Sequence, residues 1–176
     1  MSEQPMTLDA LLAAVEQTLA AQLTEIEQIL RGPLGDIAPT PPALLLDLAQ
    51  LQPDRDPGTG KTAVICALQA RLLVPLDDAA AEALALRCVA RLALLLRSQT
   101  WGLDVQPPTF IQAQPVSDDP ALSAYRCWLV EWRQPLLLGE PEWPWEDLPP
   151  GSLLIGIDPQ TGSGHEPDYF APEELQ

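Results

Sequence analysis

Tyr125-Arg126-Cys127-Trp128-Leu129-Val130-Glu131-Trp132-Arg133-Gln134-Pro135-Leu136-Leu137-Leu138 is the stretch that decides the fold. Its side chains alternate with period two: Arg126, Trp128, Val130, Trp132 and Gln134 fall on one face, Tyr125, Cys127, Leu129, Glu131 and Arg133 on the other. That spacing predicts a long strand, and the aromatic and branched residues suit a half-buried sheet surface. Pro135 lacks an amide hydrogen, so the second half of the strand is expected at a sheet edge. Trp128 and Trp132 share a strand face and read as core or subunit-contact residues rather than a ligand cage.

Upstream, Pro107-Pro108 leads into Thr109–Val116, a further strand, and Ser117-Asp118-Asp119-Pro120 supplies turn chemistry between the two. Before that, Asp77 and Asp78 open a helix predicted from Ala79 to about Gln99 and closed by Trp101-Gly102. Leu84, Cys88, Leu92 and Leu95 form its stripe, with Val89 and Leu96 alongside. It is apolar around much of its girth, which marks it as the better buried helix. Pro75 ends the run Thr62–Val74, in which Val64, Cys66, Leu68, Leu72 and Val74 share a face opposite Gln69 and Arg71. Ala43–Leu51 reads as a buried strand, and the polar loop 53–61 joins these two into a hairpin. At the start of the chain, Leu8, Leu11, Leu12, Val15, Leu19, Leu23, Ile26, Ile29 and Leu30 recur at helical spacing. Thr7 is the expected cap and Gly32-Pro33 the stop. The order α-β-β-α-β-β with two hairpins predicts an α+β sandwich, two helices packed on an antiparallel or mixed sheet.

Downstream of Leu138 the character changes. Residues 139–176 carry nine acidic residues and no Lys or Arg. Such a segment has too little apolar surface to offset its ordering entropy. It is expected as an extended acidic docking arm, separate from a folded body of residues 1–138. Trp143, Trp145, Tyr169 and Phe170 are its candidate anchors, because aromatics in an otherwise polar arm are what a partner pocket grips. His165 joins them as a docking candidate.

A formal charge of −16 and a pI near 4.1 exclude affinity for phosphate backbones and anionic membranes, which rests on Lys and Arg. The start Met1-Ser2-Glu3-Gln4-Pro5 lacks the pattern of a signal peptide, and Glu82, Arg87 and Arg91 interrupt the most apolar stretch, so neither a targeting segment nor a membrane span is expected. Cys66, Cys88 and Cys127 are odd in number and lie inside apolar elements, as buried free thiols in a reducing cytosol do.

Little here resembles catalytic machinery. Gly58-Thr59-Gly60-Lys61-Thr62 ends like a phosphate-binding loop, but the first glycine of that motif falls on Arg55, and a strand follows where a helix is required. The glycines are explained by a hairpin tip, whose Asp54, Arg55, Asp56 and Lys61 are contact-loop candidates. His165 is the only histidine; with Asp158, Glu166 and Asp168 it matches no metal-ligand spacing. The acidic pairs Asp77/Asp78, Asp118/Asp119 and Glu173/Glu174 sit at a helix start, a turn and the terminus, where capping and solubility explain them. No enzymatic activity and no cofactor are expected.

Several phrases together resemble tail terminator proteins of Mu-like phages: Pro42-Ala43-Leu44-Leu45-Leu46-Asp47-Leu48, Asp56-Pro57-Gly58-Thr59-Gly60, Trp101-Gly102-Leu103, Tyr125 to Trp132, and Gly164-His165-Glu166-Pro167-Asp168-Tyr169. The likeness covers residues 8–138 in element order, plus that last phrase. The resemblance implies an α+β fold with two hairpins and a homo-oligomeric ring, usually a hexamer, that caps the tail tube in the virion. Its implied partners are the tail tube protein, the head connector or stopper and, in contractile tails, the sheath. Assembly would take place in the host bacterial cytoplasm. The long acidic C-terminus departs from simpler members. The rival expectations are another head–tail joining or completion protein, and a small acidic regulatory protein that binds a basic partner.

Overall fold

The computed structural model describes residues 5–32, 38–76, 78–117, 119–140, 154–159, 161–162 and 164–172. The chain divides into two units, 1–143 and 144–176. The first is an α+β body whose elements run α1 (Leu8–Gln22), β1 (Gln28–Arg31), β2 (Ala43–Pro53), β3 (Thr62–Pro75), α2 (Ala79–Leu95), β4 (Thr109–Val116) and β5 (Tyr125–Leu138). The sheet order is β1-β2-β3-β5-β4, with β1 parallel to β2 and every other pair antiparallel.

Alternation along β3 sets the layers. Val64, Cys66, Leu68, Ala70, Leu72 and Val74 share one buried core with Leu11, Val15 and Leu19 of α1, Ala81, Ala85, Cys88, Val89 and Leu92 of α2, and Val130, Trp132 and Leu136 of β5. Both helices therefore cover the same face of the sheet. Ion pairs fix which helix lies where. Arg31 of β1 reaches Asp9 at 3.0 Å and Glu16 at 2.5 Å on α1, whereas Arg126 of β5 reaches Glu82 of α2 at 2.9 Å.

Among the described residues, no α-helix covers the opposite face. At one end Leu45, Leu73, Leu122 and Cys127 form a small second core with Leu30, Val116 and Tyr125. A one-turn 3-10 helix (Pro120–Leu122), capped by Asp119, brings in Leu122. Further along, Arg71, Gln69, Glu131 and Gln112 form a hydrogen-bonded ladder across β3, β5 and β4.

The first helix stops earlier than its periodicity predicts. Thr7 caps it as expected, accepting from the Ala10 amide at 3.2 Å, but the helix ends at Gln22. Gln28–Arg31 then forms the edge strand β1, one strand more than expected. Ile26, Ile29 and Leu30 fit a helical period by coincidence. The available backbone of Ala43–Leu46 and the Arg31 ion pairs outweigh that local preference.

The second helix also departs from expectation. Asp78 caps it, accepting from the Ala80 amide at 2.8 Å, but it ends at Leu95 and is not buried around its girth: Leu86 and Leu94 are 48% and 73% exposed. Strands β4 and β5 have the expected bounds. Pro135 is at a local edge, because β4 ends at Thr109 opposite Arg133 and leaves Pro135 paired with β3 alone. Trp132 is core, and Trp128 packs partly buried against it.

Among the described residues, one polar side chain lies fully inside. Gln134 accepts from Trp101 Nε1 at 2.8 Å and donates to the carbonyls of Gln106 at 2.6 Å and Pro135 at 3.1 Å. It thereby clamps the α2–β4 connection onto β5. Trp132, whose ring centroid is 6.4 Å from that of Trp101, keeps its Nε1 buried with no acceptor among the described residues. Replacing Gln134 with Leu leaves the buried Trp101 donor without its acceptor and removes the tie to the Gln106 carbonyl. Urea denaturation of Gln134→Leu is expected to show a loss of roughly 1–3 kcal/mol.

Candidate functional site

The β2–β3 hairpin brings four of the expected contact residues together at its tip. Asp54 accepts from the Arg55 amide at 2.7 Å and Asp56 from the Gly58 amide at 2.8 Å, while Thr59 Oγ1 is 3.4 Å from the Lys61 amide. Gly58 and Gly60 both have positive φ, 73° and 78°, which a side chain would strain. Each aspartate thus turns the backbone on its own loop. Thr62 starts β3, and no helix N-terminus faces the glycines.

Beside this tip lies a cleft of about 360 Å³. Asp54, Arg55, Pro57 and Ala63 form one wall. Asp104, Val105 and Gln106, held by the Gln134 clamp, form the second, and Pro135, Leu136 and Leu137 the third. The cleft exists because β4 starts late: beyond Arg133 the outer edge of β5 has no partner strand, and the 104–106 connection borders the gap. Its chemistry is two carboxylates, one guanidinium and an apolar floor. That composition suits a contact with a peptide or protein loop, and it offers no nucleophile–base pair.

The other expected site residues lie elsewhere. Trp143 and Trp145 are outside the described residues, as are Asp77, Asp118, Glu173 and Glu174. In the second unit, the described stretch 154–172 is not extended as expected: Ile155 and Phe170 exchange backbone hydrogen bonds of 2.8 and 3.1 Å and close it into a loop. Tyr169 is committed to that loop. Its hydroxyl accepts from the Gly162 amide at 2.8 Å, and its ring lies so close over Gly156 that an added Cβ would collide with it. Tyr169 and Phe170 are both half-buried within this unit. His165 Nδ1 lies 3.0 Å from Asp168 Oδ2. Among the described residues no three His, Cys, Asp or Glu side chains gather as a metal site would need. Nor is any helix there long and apolar enough to cross a membrane.

Sequence reasoning found the tip but missed the cleft, because its second and third walls come from residues far along the chain. One signal was present: Gln134 interrupts an apolar strand face, and a polar residue buried there must be tied to something.

The three cysteines are free and buried. Burial raises the pKa of all three. For Cys127 it is pushed up to about 11, with Asp119 adding to the rise and Arg71 opposing it. Cys88 is raised by burial and by Glu25, against the nearby Arg87 and Arg91. Such thiols stay protonated and unreactive at neutral pH.

No family model and no curated protein matches this chain.

Three outcomes follow from this geometry. Calorimetric titration with ATP and Mg²⁺ is expected to give no heat of binding; a micromolar site lost in Lys61→Ala would contradict the hairpin account. Native-state labelling by a bulky maleimide is expected to be slow for all three cysteines and fast in denaturant. Because the folded pKa of Cys127 is raised, its stabilising contribution is complete below the ordinary 9.0 and is lost as pH rises through about 11. Melting temperature is therefore expected to fall across that window, less so in Cys127→Ala.

Proposed function

We propose that the chain is a structural ring subunit that terminates a phage tail, or the tail of a phage-like particle, by capping its tube. The observation that carries this is the architecture: two helices on one face of a sheet built from two hairpins, with the first hairpin extending a charged tip past the edge left by β4. That is the arrangement implied by the resemblance to tail terminators of Mu-like phages, which rests on residues in both hairpins. The sheet face opposite the helices, beyond its small second core, and the tip cleft are the two surfaces this reading gives to neighbours in an assembly.

The mechanism is steric. A closed ring presents one surface that copies the stacking face of a tube subunit and another that does not, so tube growth stops where the ring binds. Asp54, Arg55, Asp56 and Lys61 are placed to read complementary charges on a neighbouring subunit or on the tube. Exposed charges of this kind select a partner and set its register more than they add affinity. The other surface would receive the head connector and, in a contractile tail, the last sheath ring.

The test is polymerisation of a phage tail-tube protein in the presence of this chain. Added below stoichiometry, the chain is expected to shorten the tubes and to appear by electron microscopy as a ring at one end. Reversing the tip charges with Arg55→Glu and Lys61→Glu is expected to weaken capping without changing the melting temperature. Tubes of the same length with and without the chain would overturn the proposal. Binding to the connector in the absence of any effect on tubes would favour a joining protein.

A further inference from the structure

The outward side of α2 is unlike the polar face of a solvated helix. Ala83, Leu86, Ala90 and Leu94 are exposed and recur at the three- and four-residue spacing that aligns side chains in one stripe. Arg87 and Arg91 rim this stripe, and Arg97 lies just past its end. From Ala83 to Leu103 the chain has these three arginines and no acidic residue, in a protein of formal charge −16. Glu25 holds Arg91 at 3.5 Å. Among the described residues, the guanidinium groups of Arg87 and Arg97 have no ion-pair or hydrogen-bond partner. An apolar strip with free cations on its border is built to receive something apolar and acidic.

The same chain carries that complement. Glu140-Pro141-Glu142-Trp143-Pro144-Trp145-Glu146-Asp147 sets two tryptophans among four carboxylates. We infer that the outer stripe of α2 is the seat of this segment from a second copy of the chain. Tryptophan rings cover the Leu86–Leu94 strip, where large aromatics bury the most apolar area per side chain, and the carboxylates meet Arg87 and Arg97. The two prolines reduce the freedom the segment loses on docking. The contact joins unlike surfaces, arm to helix. A heterologous contact of that kind propagates from subunit to subunit and closes into a ring when the rotation allows. In taking a second copy as the acceptor, the inference rests on the ring reading of the previous section; it does not depend on what the ring caps.

The experiment uses the full chain, with self-association measured by sedimentation and native mass spectrometry. The exposed pair Arg87→Glu and Arg97→Glu is expected to weaken assembly about tenfold while leaving thermal melting unchanged. Glu140→Lys with Glu142→Lys is expected to do the same, and combining the two sets in one chain to restore assembly. A photoreactive residue in place of Leu94, in a mixture of isotopically light and heavy chains, is expected to cross-link light to heavy through the 140–147 segment. Assembly that survives both charge reversals would overturn the arm contact and leave the ring reading standing. Cross-links found only within a chain would overturn the second copy as the occupant. A wild-type chain that stays monomeric at about 100 µM, alone and with tube protein, would overturn both readings.

Discussion

Strand β3 is paired along both sides, with β2 on one and β5 on the other, and the ladder to β5 runs unbroken from Thr62 to Pro75. That double pairing fixes which of its side chains point toward the helices. A slip of one residue would place Gln69 and Arg71 beneath α1 and α2 and expose Val64, Cys66, Leu68, Leu72 and Val74. The register of the other strands, the choice of one face for both helices and the position of the hairpin tip all follow from this constraint.

Polar links then fasten what the sheet has placed. Arg31 ties the short edge strand to α1, Arg126 ties β5 to α2, and Arg91 joins α2 to the turn after α1. These pairs are partly exposed and each adds little stability; their geometry serves to orient. Gln134 differs because it is fully buried and fully hydrogen-bonded. It adds a polar tie to the core packing of Trp101, Leu103 and Val105, and so helps to fix the wall of the cleft formed by residues 104–106. The candidate contact site is therefore a product of the core.

Most of the fold is legible in the sequence because strands of eight to fourteen residues declare their alternation. Both hairpins are readable this way, and Thr7 and Asp77-Asp78 mark the helix starts; β2 and β3 run on to Pro53 and Pro75, past the expected ends at Leu51 and Val74. The four-residue β1 is not readable, since Gln28–Arg31 is too short to show a period and continues the helical pattern of α1 by chance. It becomes a strand through a partner fifteen residues ahead, at Ala43. The outer stripe of α2 was misread for a related reason: an Ala- and Leu-rich helix looks buried all round, and only its neighbours decide which leucines are covered. Of the site, the charged tip was visible as turn chemistry, while the cleft depends on three segments that meet only in the folded chain. Tyr169 and Phe170 looked like free aromatics because the closure of Ile155 on Phe170 leaves no mark in local sequence.

The central pairing also orders events during synthesis. The hairpin of β2 and β3 is complete as soon as Pro75 has emerged, but β5 follows only after the whole of α2 and β4. Until then β3 presents an open edge and a bare apolar face, the state in which chains join wrongly to one another. Pairings between distant segments are slow to form, so this interval is long on the scale of hairpin formation. On the ring reading proposed above, the chain would meet its own copies first as unfinished chains. Whatever its partners, the late arrival of β5 makes completion of the sheet the step that ends this exposure.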